Sequence, residues 1–258
     1  MSLLIFSHSD YYYLWNIIED YIADLQELNP IFICNSNSNL EKPKGFKKYI
    51  EYNDNLCYAQ RWINILKNEN ILTEYILVVH DVNIIADCYV NKIKQLFNIC
   101  NENNIDRCSL NVFNGTSIIN SDIPLCKLES HIKRKTYVPY DLCPAIWKKS
   151  EFLNLWLNFP NETYQKSELN NNLQMYCNKL KCYGLQKTNN KIYYCIGRPY
   201  YDFFKILHIT IKGELLNPVE VYMDLLPYFI KITNKYNLTN KIKINNSYGF
   251  ILINLTYI

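Results

Sequence analysis

The chain has 258 residues, of which 49% are hydrophobic and 15% aromatic, so one α/β unit with a sizeable core is within reach. A net charge of +3 gives no electrostatic case for nucleic acid or an anionic membrane surface as the main partner. No apolar window reaches the length of a membrane span, and the start of the chain has neither the basic residues nor the apolar run of a signal peptide.

The first half alternates strand and helix signals. Leu3 to Phe6 is a short apolar run, and Ser7, His8, Ser9 and Asp10 follow as a polar break and helix cap. Tyr13, Ile17, Ile18, Tyr21, Ile22 and Leu25 recur at helical spacing. Ile31 to Cys34 predicts a second strand, and Tyr49 to Tyr52 a third, followed by the loop Asn53, Asp54, Asn55. Leu56 to Leu66 is helical, and Tyr75 to Val79 is a continuous apolar run that predicts a buried strand. Val90, Ile93, Leu96, Phe97 and Cys100 mark another helix face, and Arg107 to Val112 a further strand. Strands alternating with helices predict a mainly parallel, Rossmann-like sheet covered on both faces.

The second half is less regular. Residues 114–140 read as a long surface loop of the kind that serves substrates. Ala145 to Trp147, a helix over Ser150 to Leu157, a turn at Phe159 to Thr163 and a capped helix over Ser167 to Tyr176 follow. Strands are expected over Cys182 to Leu185, Ile192 to Ile196 and Ile206 to Ile211, a helix over Val219 to Tyr236 and an edge strand over Ile251 to Tyr257. With no repeat and no flexible linker, residues 1–258 count as a single domain in two halves, about 1–112 and about 113–258.

Ten cysteines are scattered, with no Cys-x-x-Cys pair and no zinc spacing. Free thiols in a reducing compartment follow, and a cytoplasmic location is expected. The Asn, Ile, Lys and Tyr bias suits an AT-rich coding genome, cellular or viral; for a viral chain the compartment would be the host cytoplasm.

The chemistry-bearing stretch is Tyr75 to Asp87. Its apolar strand ends in His80, Asp81, Val82 and Asn83, which puts a carboxylate and an amide two residues apart at the carboxyl end of a core strand. Ligands of open α/β sheets bind at that edge, and both groups can reach one hard cation carrying a diphosphate. Asp81 as a cap of the following segment is the structural alternative.

The stretch resembles the Asp-x-Asp region of nucleotide-sugar glycosyltransferases of the A-type fold, with Asn83 in place of the second Asp. Across about 3–215 the order of the pieces resembles the inverting family 2 glycosyltransferases. Ser7, His8 and Asp10 follow the first strand, where that fold has its nucleotide-contacting loop. Asn35 follows the second, where the family has an Asp or Asn facing uracil and ribose. Asn53 to Arg61 resembles the family's Asn-x-Gly to Ala-Arg-Asn segment without its Gly, and there the Arg-bearing helix packs under the nucleotide. Ala145 to Leu153 resembles the segment leading to the acceptor side. Phe159 to Glu162 resembles Gly-Phe-Asp-Glu, and Ser167 to Gln174 resembles Glu-Asp-x-Asp-Leu with one acid, Glu168, remaining. Leu207 to Gly213 resembles the late His and Lys of some retaining A-type transferases.

The resemblance implies an A-type glycosyltransferase whose first half binds a nucleotide sugar, UDP-linked, and whose second half binds a glycan or other hydroxyl acceptor. It implies a divalent cation, Mn2+ or Mg2+, held by Asp81 with Asn83 and His208. Ser7, His8, Asp10, Asn35, Arg61 and Lys212 are then donor contacts, Arg198 is a further cation for the phosphates, and Glu168 is the general base. Tyr11, Tyr12 and Tyr13 are candidates for stacking on a base or for simple packing. The alternatives are retention of configuration, a non-catalytic binding protein on the same fold, and a nucleotidyltransferase. The last usually carries a Gly-rich basic loop after its first strand, which this chain lacks.

Overall fold

The computed structural model describes residues 1–36, 40–68, 70–71, 73–115, 117–119, 121–129, 139–190, 192–195, 198–208, 210–211, 214–215 and 226–238. In chain order, β1 (Ser2–Phe6) leads through a 3-10 turn (Ser9–Leu14) into α1 (Trp15–Ile22) and a second 3-10 turn (Ala23–Leu28). Then come β2 (Ile31–Asn35), β3 (Lys48–Tyr52), α2 (Tyr58–Asn68), β4 (Tyr75–His80), β5 (Asn83–Cys88), α3 (Val90–Glu102) and β6 (Arg107–Phe113). The second half holds β7 (Ser117–Ile119), β8 (Leu125–Lys127), β9 (Ala145–Lys148), α4 (Lys149–Asn158), α5 (Tyr164–Ser167), α6 (Asn171–Cys177) and β10 (Cys182–Gln186). It continues with β11 (Ile192–Cys195), β12 (Arg198–Tyr201), β13 (Phe204–His208), β14 (Thr210–Ile211), β15 (Glu214–Leu215) and α7 (Leu226–Lys235).

Nine strands form the central sheet in the order β3-β2-β1-β4-β9-β6-β10-β8-β7. Strands β3, β2, β1 and β4 pair in parallel, as do β6 and β10. β9 runs against both its neighbours, and β8 against both of its own. The expected α/β architecture, a Rossmann-like and mainly parallel sheet flanked by helices, is therefore present.

The central strands are apolar on both sides because both sides are covered. Leu3, Ile5, Leu77 and Val79 face one core with Leu14, Trp15 and Ile18. Their alternates Leu4, Phe6, Ile76 and Val78 face the other with Trp62, Phe152 and Trp156. β3 alternates exposed and buried residues, as an edge strand covered on one face does.

Two features of topology place the site. In the parallel pair of β1 and β4, Phe6 lies opposite His80, so both strands end at the same level. A separate antiparallel pair, β5 with β13, sets Asn83 opposite His208 and Asp87 opposite Lys205.

The second half departs from expectation in three places. Residues 114–140 are not all loop: β7 and β8 extend the sheet there, and Leu125 and Cys126 are buried. The helix expected from Ser167 to Tyr176 breaks in two. Asn170, not Ser167, caps α6, its side chain accepting from the backbone N–H groups of Asn172 and Leu173, so Glu168 sits at the C-cap of the short α5. The strand expected over Ile206 to Ile211 is divided between β13 and β14, with residue 209 outside the described set. Helix α7 covers Leu226–Lys235 of the expected Val219 to Tyr236, and the expected strand over Ile251 to Tyr257 lies outside the described residues.

Candidate active site

A cleft of about 540 Å³ opens at the carboxyl ends of β1, β3 and β4. Its walls include Ser7, His8, Tyr11, Tyr52, Tyr58, Arg61, His80, Asp81 and Tyr164. The volume is that of a small-molecule site.

Asp81 forms the floor and is buried. The common ending of β1 and β4 brings Ser7 beside it: the Asp81 N–H donates to Phe6 O at 2.9 Å, and Ser7 Oγ donates to Asp81 Oδ2 at 2.7 Å. The His8 N–H donates to the same oxygen at 3.1 Å. Burial pushes the Asp81 carboxyl up to about 6, against the opposing pull of the hydrogen bonds from Ser7, His8 and Val82. Ser7 Oγ also accepts from Trp15 Nε1 at 2.8 Å, and Ser7 O accepts from Tyr52 OH at 2.8 Å, which locks the loop after β1.

Next to Asp81, His80 Nε2 lies 2.8 Å from the Tyr58 hydroxyl. The Tyr164 ring packs edge-on against both, with centroids 5.2 Å from His80 and 5.4 Å from Tyr58. Burial, then the nearby Asp81 charge, raises the Tyr11 and Tyr164 hydroxyls above the usual range. The two tyrosines therefore belong to the walls around the buried carboxylate.

On the rim, Asn35 Oδ1 accepts from Ser9 N at 2.8 Å and its amide donates to Ser9 Oγ at 2.9 Å. Asn35 is buried, and its amide shapes the loop after β1. The Arg61 guanidinium lies 4.6 Å from the centroid of Tyr52, donates through Nε to Leu56 O at 2.8 Å, and pairs with Asp54 at 2.8 Å. Tyr52 in turn stacks on Phe6 at 5.0 Å.

Of the residues singled out from sequence, Ser7, His8, Arg61 and Asp81 line the cleft, and Asn35 supports it. Asp10 is exposed at the rim with Oδ2 3.3 Å from His8 Nδ1. Asn83 is buried in β5 opposite the backbone of His208, one residue beyond the cleft wall at Val82. Lys212 lies outside the described residues, and Arg198 is placed by its backbone in β12. Glu168 is not among the cleft walls. Its Oε1 accepts from Leu142 N at 2.6 Å, and Gln174 Nε2 donates both to Glu168 O and to Tyr140 O, each at 2.9 Å. Glu168 thus holds the segment from Tyr140 to Leu142.

Sequence reasoning passed over Asp54, Tyr58, His80 and Tyr164. Asp54 stood within a recognised loop, and its acid between two amides was the available signal. Tyr58 and Tyr164 carried none, because the chain has 23 tyrosines; His80, one of four histidines, was visible at the strand end beside Asp81 but was given no role.

Among the described residues no cluster of three His, Cys, Asp or Glu side chains is built to hold a metal. The cleft offers one carboxylate, with the Asn83 amide two residues on. That sparse set fits a cation that completes its shell with phosphate oxygens and water, the usual habit of Mg2+. A cation beside Asp81 would also offset the desolvation that raises its pKa.

No family model matches the chain, and no curated protein matches its sequence. Among solved structures, HddC from Yersinia pseudotuberculosis is 11% identical, with 92% of this chain and 100% of that one covered and a TM-score of 0.48. UDP-glucose pyrophosphorylase complexed with UDP-glucose is 8% identical over 90% of this chain and 99% of that one, at a TM-score of 0.45. Residues 1–349 of S. aureus TarS are 13% identical over 78% of this chain, which spans 60% of that segment, at a TM-score of 0.40. Likenesses this distant carry no assignment of activity. Among the described residues, no helix is long and apolar enough to cross a membrane.

Proposed function

We propose that the chain is an A-type glycosyltransferase that moves a sugar from a nucleotide diphosphate donor, UDP-linked, to a hydroxyl of a glycan or similar acceptor, with inversion. The carrying observation is the buried Asp81 carboxylate on the floor of a cleft walled by Tyr11, Tyr52, Arg61 and Tyr164. Ring-bearing walls suit a nucleoside, and a carboxylate floor suits a cation-bridged diphosphate. Asp81, with Asn83 and His208 behind it, would hold Mn2+ or Mg2+, which when bound supplies positive charge to the leaving diphosphate. Ser7 and His8 fix the orientation of Asp81. Tyr58 and His80 close the floor beneath the donor.

In the transfer, the acceptor oxygen bonds to the anomeric carbon as the bond from that carbon to the diphosphate oxygen breaks. Glu168 takes the acceptor proton, and the nucleoside diphosphate leaves with the electron pair. Lys212 and Arg198 belong to this proposal as cationic contacts to the phosphates.

One observation favours a second reading. Glu168 lies off the cleft and accepts from Leu142 N, as a purely structural acid would, which suits a non-catalytic nucleotide-sugar-binding protein on the same fold. A panel of nucleotide sugars, assayed for release of nucleoside diphosphate with Mn2+ and acceptor sugars, separates the two. Turnover with an inverted product, read by NMR, supports the transferase. Donor binding without turnover across the panel supports the binding protein.

A further inference from the structure

The carboxylate of Asp54 gathers donors from three separate elements. His8 Nε2, from the loop after β1, lies 3.0 Å from Oδ2. Arg61 Nη2, from the first turn of α2, lies 2.8 Å from Oδ1. Asn35 Nδ2, from the end of β2, lies 3.4 Å from Oδ2. A loop aspartate that merely shapes its own turn accepts from nearby backbone N–H groups. Here that local task falls to Asn53, whose Oδ1 accepts from Asn55 N at 2.9 Å. Asp54 instead reaches two side chains of the cleft wall, His8 and Arg61, and Asn35, which supports the loop after β1.

We infer that Asp54 is a positioning residue that fixes the His8 tautomer and cancels the charge of Arg61, so that the cleft selects a ring-bearing ligand over bare phosphate. The tautomer follows from geometry. His8 Nδ1 has two contacts with Asp10, the backbone N–H donating at 3.1 Å and the exposed carboxylate Oδ2 farther off at 3.3 Å. The shorter one makes Nδ1 the acceptor, and Nε2, 3.0 and 3.2 Å from the two Asp54 oxygens, carries the proton. The charge follows from the cleft walls, in which Arg61 is the one permanent cation among the described residues. With Asp54 on one edge and the Tyr52 ring 4.6 Å from its centre, Arg61 presents a compensated planar surface and not a free positive charge. Phosphate must then draw its counter-charge from elsewhere, and recognition shifts to the planar part of the ligand.

The ligand half of this inference rests on the nucleotide reading; the tautomer half does not. The experiment therefore has two readouts on wild type and Asp54→Asn. The first is calorimetric binding of UDP and of inorganic pyrophosphate. Asp54→Asn should tighten pyrophosphate roughly three- to fivefold, the scale of one released and partly screened charge. UDP should weaken, so that the ratio of the two Kd values moves more than tenfold. The gain for pyrophosphate should vanish in Asp54→Asn/Arg61→Gln. The second readout is the long-range 15N–1H spectrum of the imidazoles, tractable because the chain has four histidines. His8 should be a single Nε2–H tautomer in wild type, a mixture in Asp54→Asn, and single again in Asp54→Glu.

An unchanged tautomer in Asp54→Asn overturns the positioning role. An unchanged Kd ratio overturns the charge role. If wild type binds no UDP, the nucleotide reading falls while the imidazole spectrum still decides on Asp54. Should Asp54→Asn not fold, Asp54→Glu alone serves, with an intact tautomer and an intact Kd ratio expected and loss of either contradicting the inference.

Discussion

Replacing Asp81 by Asn should make the ligand-free protein more stable while removing its function. Burial holds the Asp81 carboxyl at about 6 in the folded chain, against 3.8 for the ordinary group. Keeping it ionised at neutral pH therefore costs the native state about 3 kcal/mol. Asn retains an acceptor oxygen for Ser7 Oγ and the His8 N–H, but it sets an NH2 among groups arranged for a carboxylate. The expected net gain is about 1–3 kcal/mol at pH 7.5, or roughly 2–10 °C in Tm for a chain of this size. The pH dependence has a definite sign. A raised folded pKa means that wild type is relatively most stable below 3.8 and loses that advantage as pH climbs through about 6. The benefit of Asn should thus be full above about pH 6 and vanish below about pH 4. Thermal unfolding of both proteins across pH 3.5 to 8, without metal or nucleotide, is the assay. A Tm at pH 7.5 equal to or below that of wild type, or a difference that does not change with pH, would refute the reasoning.

Further outcomes follow from other parts of the molecule. Arg107 is fully buried and donates to Asp141 Oδ1 at 2.5 Å and to Pro139 O at 2.8 Å; Arg107→Ala should destabilise by about 3–5 kcal/mol in denaturant unfolding, because Asp141 is left buried without its cation. Alkylation without prior reduction should find free thiols, with half-buried Cys57 and Cys143 modified before buried Cys100, Cys108, Cys177 and Cys182; a disulfide in mass measurement contradicts this. Glu168→Gln keeps an acceptor for Leu142 N and removes basicity, so Tm should hold while kcat falls roughly 10²–10⁴-fold; near-normal kcat would limit Glu168 to holding that segment.

The parallel half of the fold was legible because its strands are buried on both faces and read as unbroken apolar runs. Leu3 to Phe6, Ile31 to Cys34 and Tyr75 to Val79 each predict a strand to within a residue of its ends. β5 escaped because it begins directly after the turn at Asp81 and Val82, with no polar gap to set it apart. β7 and β8 escaped because three-residue strands carry too little periodicity. The split between α5 and α6 turns on Asn170 outcompeting Ser167 as a cap, and in a run of three asparagines the sequence does not rank the candidates. In the site, Asp81 stood out because strand ends concentrate ligand contacts, whereas Ser7, His8 and Arg61 were picked out by the resemblance to glycosyltransferase segments. The Asp54–His8 and Tyr58–His80 pairs join residues 46 and 22 positions apart, which single-sequence spacing does not encode.

Calorimetric titration of UDP into wild type and Asp81→Ala, each with Mn2+ and with chelator, tests the central claim most directly. Binding by wild type that requires the cation, and loss of that binding in a folded Asp81→Ala protein, is the predicted result. Equal UDP affinity with and without cation, or in wild type and Asp81→Ala, would contradict a donor site built on this carboxylate.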